Sequence, residues 1–417
     1  MEYGCIGEKL GHSFSKIIHN ELADYDYELC EIAPGNIPEF MEKADFKAIN
    51  VTIPYKKVVI PYLYAVDKTA ERIGAVNTVV NRDGKLYGYN TDFYGMSDLM
   101  LRENIDLGGK KVLILGSGGT SETALAVAES MNALSVLRVS RSGRDGLIDY
   151  NTAYSQHSDC EVIINTTPCG MYPNIDSTAI DIDRFPDLYA VVDAVYNPIN
   201  SLLITEAKER KLKTAGGLYM LTAQAAYAVE KFIDTKISRD SVERIYRKLL
   251  KDKKNIVLIG MPSCGKTTIG SVLSANLGKK FIDTDDEIVK KCGISIPEYF
   301  NKYGEEKFRK LESEIISEIS LKQNCVIATG GGAVLNSKNI RLLKGNGTVF
   351  FIDRPLEQLI STDDRPLSSS RELLETRYKE RYNIYNSVCD IRIEANNDLQ
   401  TNVKAVRERF LNEIFSA

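Results

Sequence analysis

The run Gly260-Met261-Pro262-Ser263-Cys264-Gly265-Lys266-Thr267 leaves its surroundings few ways to fold. It matches G-x-x-x-x-G-K-[ST], it follows the apolar Ile256-Val257-Leu258-Ile259, and it opens a helical pattern from Thr268 to Leu277. Those features together predict a strand, a phosphate loop and a helix. The glycines let backbone N–H groups turn inward around phosphate oxygens, and the first turn of the helix adds partial positive charge. Lys266 is expected to reach the β- and γ-phosphates of ATP, and Thr267 to hold Mg²⁺. Gly260, Ser263, Cys264, Gly265 and Thr268 complete the expected nucleotide cradle. Cys264 reads as a small loop residue whose oxidation would block the nucleotide.

The same alternation of short apolar runs and helical patterns fills the rest of the chain. Val112–Leu115, Glu161–Ile164, Ala190–Asp193, Val326–Ala328 and Val349–Ile352 read as buried parallel strands, which makes the fold α/β. At roughly 100–200 residues per domain, 417 residues predict two or three domains with full cores. Val242, Ile245, Tyr246, Leu249 and Leu250 share one face of a helix from Ser238 to Lys251. Polar Lys251-Asp252-Lys253-Lys254 follows, so the expected domains are 1–252 and 253–417. A net charge of -4 gives no electrostatic reason to expect nucleic acid or an anionic membrane. With 8 scattered cysteines, no C-x-x-C pair and 3 histidines, free thiols in a reducing cytosol are expected rather than disulfides or zinc. The N-terminus lacks the pattern of a signal peptide, and no run approaches a membrane span, so the expected location is cytoplasmic. Nothing in the sequence indicates an oligomeric state.

Beyond the phosphate loop, Asp283-Thr284-Asp285 ends the strand-like Lys280-Phe281-Ile282. Alternating directions there suit one carboxylate to the metal and the other to an acceptor hydroxyl. Gly304-Glu305-Glu306-Lys307-Phe308-Arg309-Lys310-Leu311-Glu312 lies in a long helical stretch. Gly330-Gly331-Gly332 follows a buried strand and admits a ligand close to the backbone. With Arg365-Pro366-Leu367, these motifs occur in the order found in shikimate kinases, and the chain from about Asn255 to its C-terminus resembles that family. The resemblance implies a P-loop kinase domain with a parallel sheet. It implies Asp283 as an indirect Mg²⁺ ligand and Asp285 as the partner and base for the shikimate hydroxyl. Arg309, Gly331 and Arg381 would bind shikimate, the guanidinium forks suiting its carboxylate. Arg365 would sit on a lid and, with Lys266, meet charge developing on the transferred phosphoryl group. Two features depart from the family. Leu359–Asp364 is short and acidic and lacks the arginine that packs on adenine in most members, which leaves two alternatives open, weaker nucleotide affinity or a different side chain over the base. Asn383 stands where a proline is common.

In the first half, Leu113-Ile114-Leu115-Gly116-Ser117-Gly118-Gly119-Thr120-Ser121 is a strand running into a relaxed G-x-G-x-x-G turn. Gly116 to Thr120 are expected to cradle a pyrophosphate. The next strand, Val136–Val139, ends in Ser140-Arg141-Ser142-Gly143-Arg144, where NAD sites usually carry an acid. Arg141 and Arg144 suit a 2′-phosphate and so NADP(H). Asn50-Val51-Thr52-Ile53-Pro54-Tyr55-Lys56, Gly74–Thr78, Tyr89-Asn90-Thr91-Asp92, Asn165–Pro168, Tyr196-Asn197-Pro198 and Gly217–Gln224 complete a pattern over about Met1–Lys251 that resembles the shikimate dehydrogenases. That resemblance implies Lys56 and Asp92 as the catalytic pair, Asp92 also touching substrate. Ser13 and Ser15 would bind the substrate carboxylate. Thr52, Asn77, Tyr196 and Gln224 would contact ring hydroxyls or the carbonyl region, and Gly217 would lie against nicotinamide. His12 reads as a local hydrogen-bonding residue. Two lobes are implied, a substrate lobe (about 1–95 plus 217–250) and a Rossmann-type NADP lobe (about 96–216), with the site in their cleft.

The two resemblances imply a bifunctional enzyme of the shikimate pathway, which leads to chorismate and the aromatic amino acids. It would reduce 3-dehydroshikimate with NADPH and phosphorylate the resulting shikimate with ATP. Alternatives keep the folds and change the chemistry: quinate or NAD in the first half, another polyol such as gluconate in the second, or a kinase-like sensor without catalysis.

Overall fold

Each apolar run named above lies in a strand of the computed structural model, save that Glu161 precedes the strand of its run; the structure describes residues 1–11, 14–360 and 370–416. The chain forms two compact units, Met1–Tyr246 and Arg247–Ala417.

The first unit starts with β1 (Tyr3–Gly7), α1 (Ser15–Leu22), β2 (Tyr27–Glu31), α2 (Ile37–Lys43), β3 (Ala48–Val51), β4 (Ala65–Val66), α3 (Lys68–Ile73), β5 (Thr78–Arg82) and β6 (Lys85–Tyr89). These strands form one mixed sheet in the order β2-β1-β3-β5-β6-β4. After α4 (Thr91–Arg102) comes a second run: β7 (Lys111–Leu115), α5 (Gly119–Ser130), β8 (Ser135–Val139), α6 (Tyr150–Gln156), β9 (Val162–Asn165), β10 (Ala190–Asp193), α7 (Leu202–Glu209) and β11 (Lys213–Gly216). Its strands pair in parallel in the order β11-β10-β9-β7-β8. Crossover helices bury both faces, which is why Val112–Leu115 and Val162–Ile164 read as unbroken apolar runs. α8 (Gly217–Ile233) then packs along α4 and against α1 and β5. The expected lobe boundary near residue 95 falls inside α4, which belongs to both halves of the unit.

α9 (Arg239–Lys253) is the helix anticipated from the apolar face of Val242, Ile245, Leu249 and Leu250. It differs in where it stops. Lys251 to Lys253, expected to form a polar joint, are helical, and the boundary of the two units falls between Tyr246 and Arg247 within the helix. Lysine is a good helix former, and the carbonyls of Lys251 and Lys254 are held by the Lys279 amine at 2.7 and 2.9 Å.

The second unit contains β12 (Asn255–Ile259), α10 (Lys266–Leu277), β13 (Lys280–Asp283), α11 (Thr284–Cys292), α12 (Ile296–Ser320), β14 (Cys325–Ala328), α13 (Ser337–Asn346), β15 (Gly347–Asp353), α14 (Arg371–Val388), β16 (Ile391–Glu394) and α15 (Leu399–Ser416). Its sheet is parallel throughout, in the order β13-β14-β12-β15-β16. The long helical stretch expected around Gly304–Glu312 is two helices joined at a break, because Gly304 adopts φ 81 and ψ 170. All 8 cysteines are free thiols. Among the described residues, no helix is long and apolar enough to cross a membrane.

Candidate active sites

In the first unit the segment after β3 is pinned by Tyr55, which is 1% exposed and donates its hydroxyl to the Ile32 carbonyl. The neighbouring Lys56 therefore leaves the sheet in a defined direction. Asn90 caps α4 by accepting the Phe93 N–H at 3.2 Å and donates to the Ala75 carbonyl at 2.9 Å. That cap puts Asp92 in the first helical turn, where the helix end favours a carboxylate. Lys56 Nζ and Asp92 Oδ2 meet at 2.6 Å, with side chains 13% and 9% exposed.

Beside this pair the dinucleotide turn approaches. A Cβ added to Gly119, at the start of α5, would come within 3.4 Å of Lys56 Cδ. Gly116 has φ 122, and a Cβ there would lie 2.6 Å from Thr166 Oγ1. Gly118 stands at the N-cap of α5 with no side-chain cap, so the leading N–H groups of that helix suit an anion. Ser117 and Gly118 are exposed, and Thr120 is half-buried in the first turn of α5. Arg141 and Arg144 follow β8, both without an ion pair among the described residues. Gly217 opens α8 against the Ala194 carbonyl, which an added Cβ would meet at 2.3 Å.

The floor next to Lys56 is a buried polar web. Asn77 Oδ1 accepts the Thr91 N–H at 2.7 Å, and Asn77 Nδ2 donates to Thr91 Oγ1 at 3.0 Å and to Gln224 Oε1 at 3.4 Å. Asn50 donates to the Asn77 carbonyl and Thr78, and takes the Tyr27 hydroxyl at 2.7 Å. Asn50, Thr78 and Thr91 were not singled out by sequence reading, because small polar residues look like turn and cap residues one at a time. Thr52 and Tyr196 are half-buried, with the Tyr196 ring 5.5 Å from Phe14, and Ser15 begins α1. His12 and Ser13 lie outside the described residues.

Two buried ionisable groups flank this region. Burial pushes Asp193 up to about 6, against donation from Ser201, Val195 and Asn165. Burial pushes His19 down to about 3, its ring stacked 3.9 Å from that of Tyr27.

In the second unit, Gly265 (φ 99) ends the phosphate loop at the N-cap of α10. The Lys266 amine is turned into the loop, donating to the Gly260 and Met261 carbonyls at 2.9 and 2.8 Å. Cys264 is fully buried, its sulfur 3.7 Å from that amine. Thr267 donates to Asp283 Oδ2 at 2.7 Å, bringing two hard oxygen donors together. Asp283 also caps α11 by accepting the Asp285 N–H at 3.0 Å. The strand ends at Asp283, so Asp285 diverges from it on the first turn of a helix and not by the alternation of a strand.

A cavity of about 550 Å³ runs from this loop past Asp285, Arg309, Glu312, Gly330–Gly332 and Arg381. The glycines make room for these side chains as well as for a ligand. A Cβ at Gly330 would lie 2.7 Å from Asp285 Oδ1, and one at Gly332 would lie 2.1 Å from Arg309 Nη1. Arg309 pairs with Glu312 at 2.8 Å and Glu305 at 3.2 Å; burial works against its charge, and the two carboxylates outweigh it. Arg381 is 3% exposed and donates Nη1 to the Gly331 carbonyl at 3.2 Å, while its Nε and Nη2 have no hydrogen-bond partner among the described residues. Burial, and then the guanidiniums of Arg309 and Arg377, push Arg381 below the ordinary arginine range. Tyr385 shares the Gly331 carbonyl from one helical turn further on, at 2.5 Å, and stacks 5.2 Å from Phe351. Glu312 stands in the Gly304–Glu312 motif without an expected role, and Tyr385 was not singled out; the i, i+3 spacing of Glu312 from Arg309 and the i, i+4 spacing of Tyr385 from Arg381 were the signals for both supporting residues. Arg365, Thr362–Asp364 and the rest of 361–369 lie outside the described residues.

Shikimate dehydrogenase (NADP(+)) of Clostridium perfringens is 38% identical over 264 residues, which cover 97% of that protein and 59% of this chain. The chain belongs to the shikimate dehydrogenase family. Within the family part, the model for the shikimate dehydrogenase substrate binding domain matches residues 5–79. The shikimate kinase family model matches residues 262–414, so a shikimate kinase domain follows the dehydrogenase part. Shikimate dehydrogenase 1 of Peptoclostridium difficile superposes with a TM-score of 0.57 at 33% identity, covering 60% of this chain and 98% of its own. A chorismate mutase/shikimate 5-dehydrogenase fusion protein from Clostridium acetobutylicum gives 0.55 at 32%, covering 59% and 96%. The Thermus thermophilus shikimate 5-dehydrogenase in complex with NADP(H) and shikimate gives 0.54 at 26%, covering 60% and 99%.

Proposed function

We propose that this chain is a bifunctional enzyme that reduces 3-dehydroshikimate to shikimate with NADPH and then phosphorylates shikimate with ATP to shikimate 3-phosphate. The observation that carries the first half is the Lys56–Asp92 pair at 2.6 Å beside the glycine turn. Ketone reduction needs a proton at the oxygen as hydride reaches the carbon. NADPH, when bound, supplies that hydride. Lys56 Nζ delivers the proton and meets the developing negative charge. Asp92 holds Lys56 and takes a hydrogen bond from the adjacent substrate hydroxyl. Asn77, Gln224, Thr52 and Tyr196 replace the water lost by the ring hydroxyls, and Ser15 with Ser13 receives the carboxylate. Gly116–Thr120 would hold the pyrophosphate, Arg141 and Arg144 the 2′-phosphate, and Gly217 the edge of the nicotinamide.

The second half rests on Arg381, which lines the same cavity as the phosphate loop and carries two buried nitrogens with no hydrogen-bond partner among the described residues. A ligand carboxylate supplies what those donors lack, and Arg309 stands beside it. Asp285 accepts the proton of the attacking hydroxyl. Thr267, and Asp283 indirectly, would hold Mg²⁺, which would supply positive charge against the phosphates. ATP–Mg²⁺, when bound, supplies the phosphoryl group. Gly260, Ser263–Gly265 and Thr268 cradle its phosphates, Gly331 borders the acceptor, and Lys266, with Arg365, meets the charge on the moving group.

Steady-state rates with paired alternatives test this reading. 3-Dehydroshikimate with NADPH should outrun the reaction with NADH, and shikimate should outrun gluconate as phosphoryl acceptor. Equal rates with NADH would remove the role given to Arg141 and Arg144. No ADP release with shikimate would leave the second unit as a non-catalytic sensor.

A further inference from the structure

The short acidic segment before Arg365 offers no arginine to cover a nucleotide base, and the second unit places a different one where a base must go. The sheet order is β13-β14-β12-β15-β16, with the phosphate loop following β12. Ligands of open parallel sheets lie across the C-terminal ends of the strands. The acceptor cavity opens on the side of β13 and β14, where Asp283, Asp285 and Gly330–Gly332 stand. The transferable phosphate has to face that cavity. The nucleoside end of the same molecule therefore runs the other way, over the ends of β15 and β16.

Arg354 is the first residue past β15. Its Nη2 donates to the Asn396 carbonyl at 2.8 Å, in the turn after β16, and lies 3.8 Å from the position of a Cβ on Gly265. Its buried Nε has no partner among the described residues. Asn396 is itself clamped: Asn402, 2% exposed, accepts its N–H at 3.0 Å and donates to its carbonyl at 2.9 Å. The guanidinium is thus a flat, fixed cation between the phosphate loop and a rigid turn, on the side away from the acceptor.

We propose that Arg354 forms the base subsite of the second unit, its guanidinium plane stacking on a purine ring. The inference rests on the kinase reading above. A flat delocalised cation stacks on an aromatic face in a way that an ammonium does not.

The test measures binding of ADP and of inorganic tripolyphosphate to the full-length protein, to Arg354→Ala and to Arg354→Lys. Stacking predicts ADP binding weakened about tenfold in Arg354→Ala, tripolyphosphate unchanged, and no rescue in Arg354→Lys. Unchanged ADP affinity in both variants overturns the proposal. So does an equal loss for ADP and tripolyphosphate, which marks a phosphate contact or a disturbed loop, and so does full rescue by lysine. If the unaltered protein binds neither probe, the kinase reading falls and the subsite with it.

Discussion

In the first unit Lys56 and Asp92 neutralise each other at 2.6 Å, and the amides of Asn77 and Gln224 are bonded to each other and to Thr91. In the second unit Arg381 is as deeply buried, yet two of its nitrogens meet no partner among the described residues, and Lys266 spends its protons on the carbonyls of its own loop. The reacting pair of the first site is balanced before a ligand arrives; the second keeps two buried donors without a partner among the described residues. A buried donor left unmade costs about 1–3 kcal/mol, so an anion that reached those nitrogens of Arg381 would recover stability that is already realised in the Lys56–Asp92 pair.

The largest effect expected from this contrast is on rate. Asp92→Ala leaves Lys56 without its partner and should lower ketone reduction by about 10³-fold, while ADP release from added shikimate stays unchanged. Next, Arg381→Met should raise the KM for shikimate about thirtyfold, a loss of about 2 kcal/mol, with kcat less affected. A loss confined to kcat would instead place Arg381 on the reacting phosphoryl group. Arg381→Met should also reduce the thermal stabilisation expected from shikimate by up to about 2 kcal/mol at a given concentration, read as the shift of the unfolding transition.

The pH response sharpens the comparison inside the first unit. Asp193 rises from 3.8 to about 6 on folding, so its contribution is full below 3.8 and is lost as pH rises towards 6. His19 falls from 6.5 to about 3, so its contribution is present above 6.5 and is lost as pH falls. Between about pH 4 and 6 the two slopes oppose each other, each at most about 1.4 kcal/mol per pH unit. His19→Phe should therefore make urea stability rise as pH drops through that window, and Asp193→Asn should make it fall. The smallest effect belongs to the surface: Lys57→Ala removes a pair with Glu122 at 3.2 Å and should change stability by under about 1 kcal/mol.

Strands and glycine turns were legible because their causes are local. Val112–Leu115 is apolar at every position, and the phosphate loop carries its own spacing. The pairing of Lys56 with Asp92 has no local cause, and only the resemblance to a family brought the two together. The web from Tyr27 through Asn50 and Asn77 to Gln224 includes a bond between residues 147 positions apart, and its asparagines look like turn residues one at a time. The break at Gly304 and the departure of Asp285 from the strand were missed for another reason. Both depend on backbone choices, a left-handed glycine and an aspartate cap, that override a helical or alternating pattern.

Two sites acting in succession, as proposed, must each respond to the loss of its own lysine. Purified full-length protein given 3-dehydroshikimate, NADPH and ATP–Mg²⁺ should oxidise the coenzyme and release ADP. Lys266→Ala should keep the first signal and lose the second, and Lys56→Ala should lose both until shikimate is added. ADP release at the full rate from Lys266→Ala, or undiminished coenzyme oxidation by Lys56→Ala, would contradict the account.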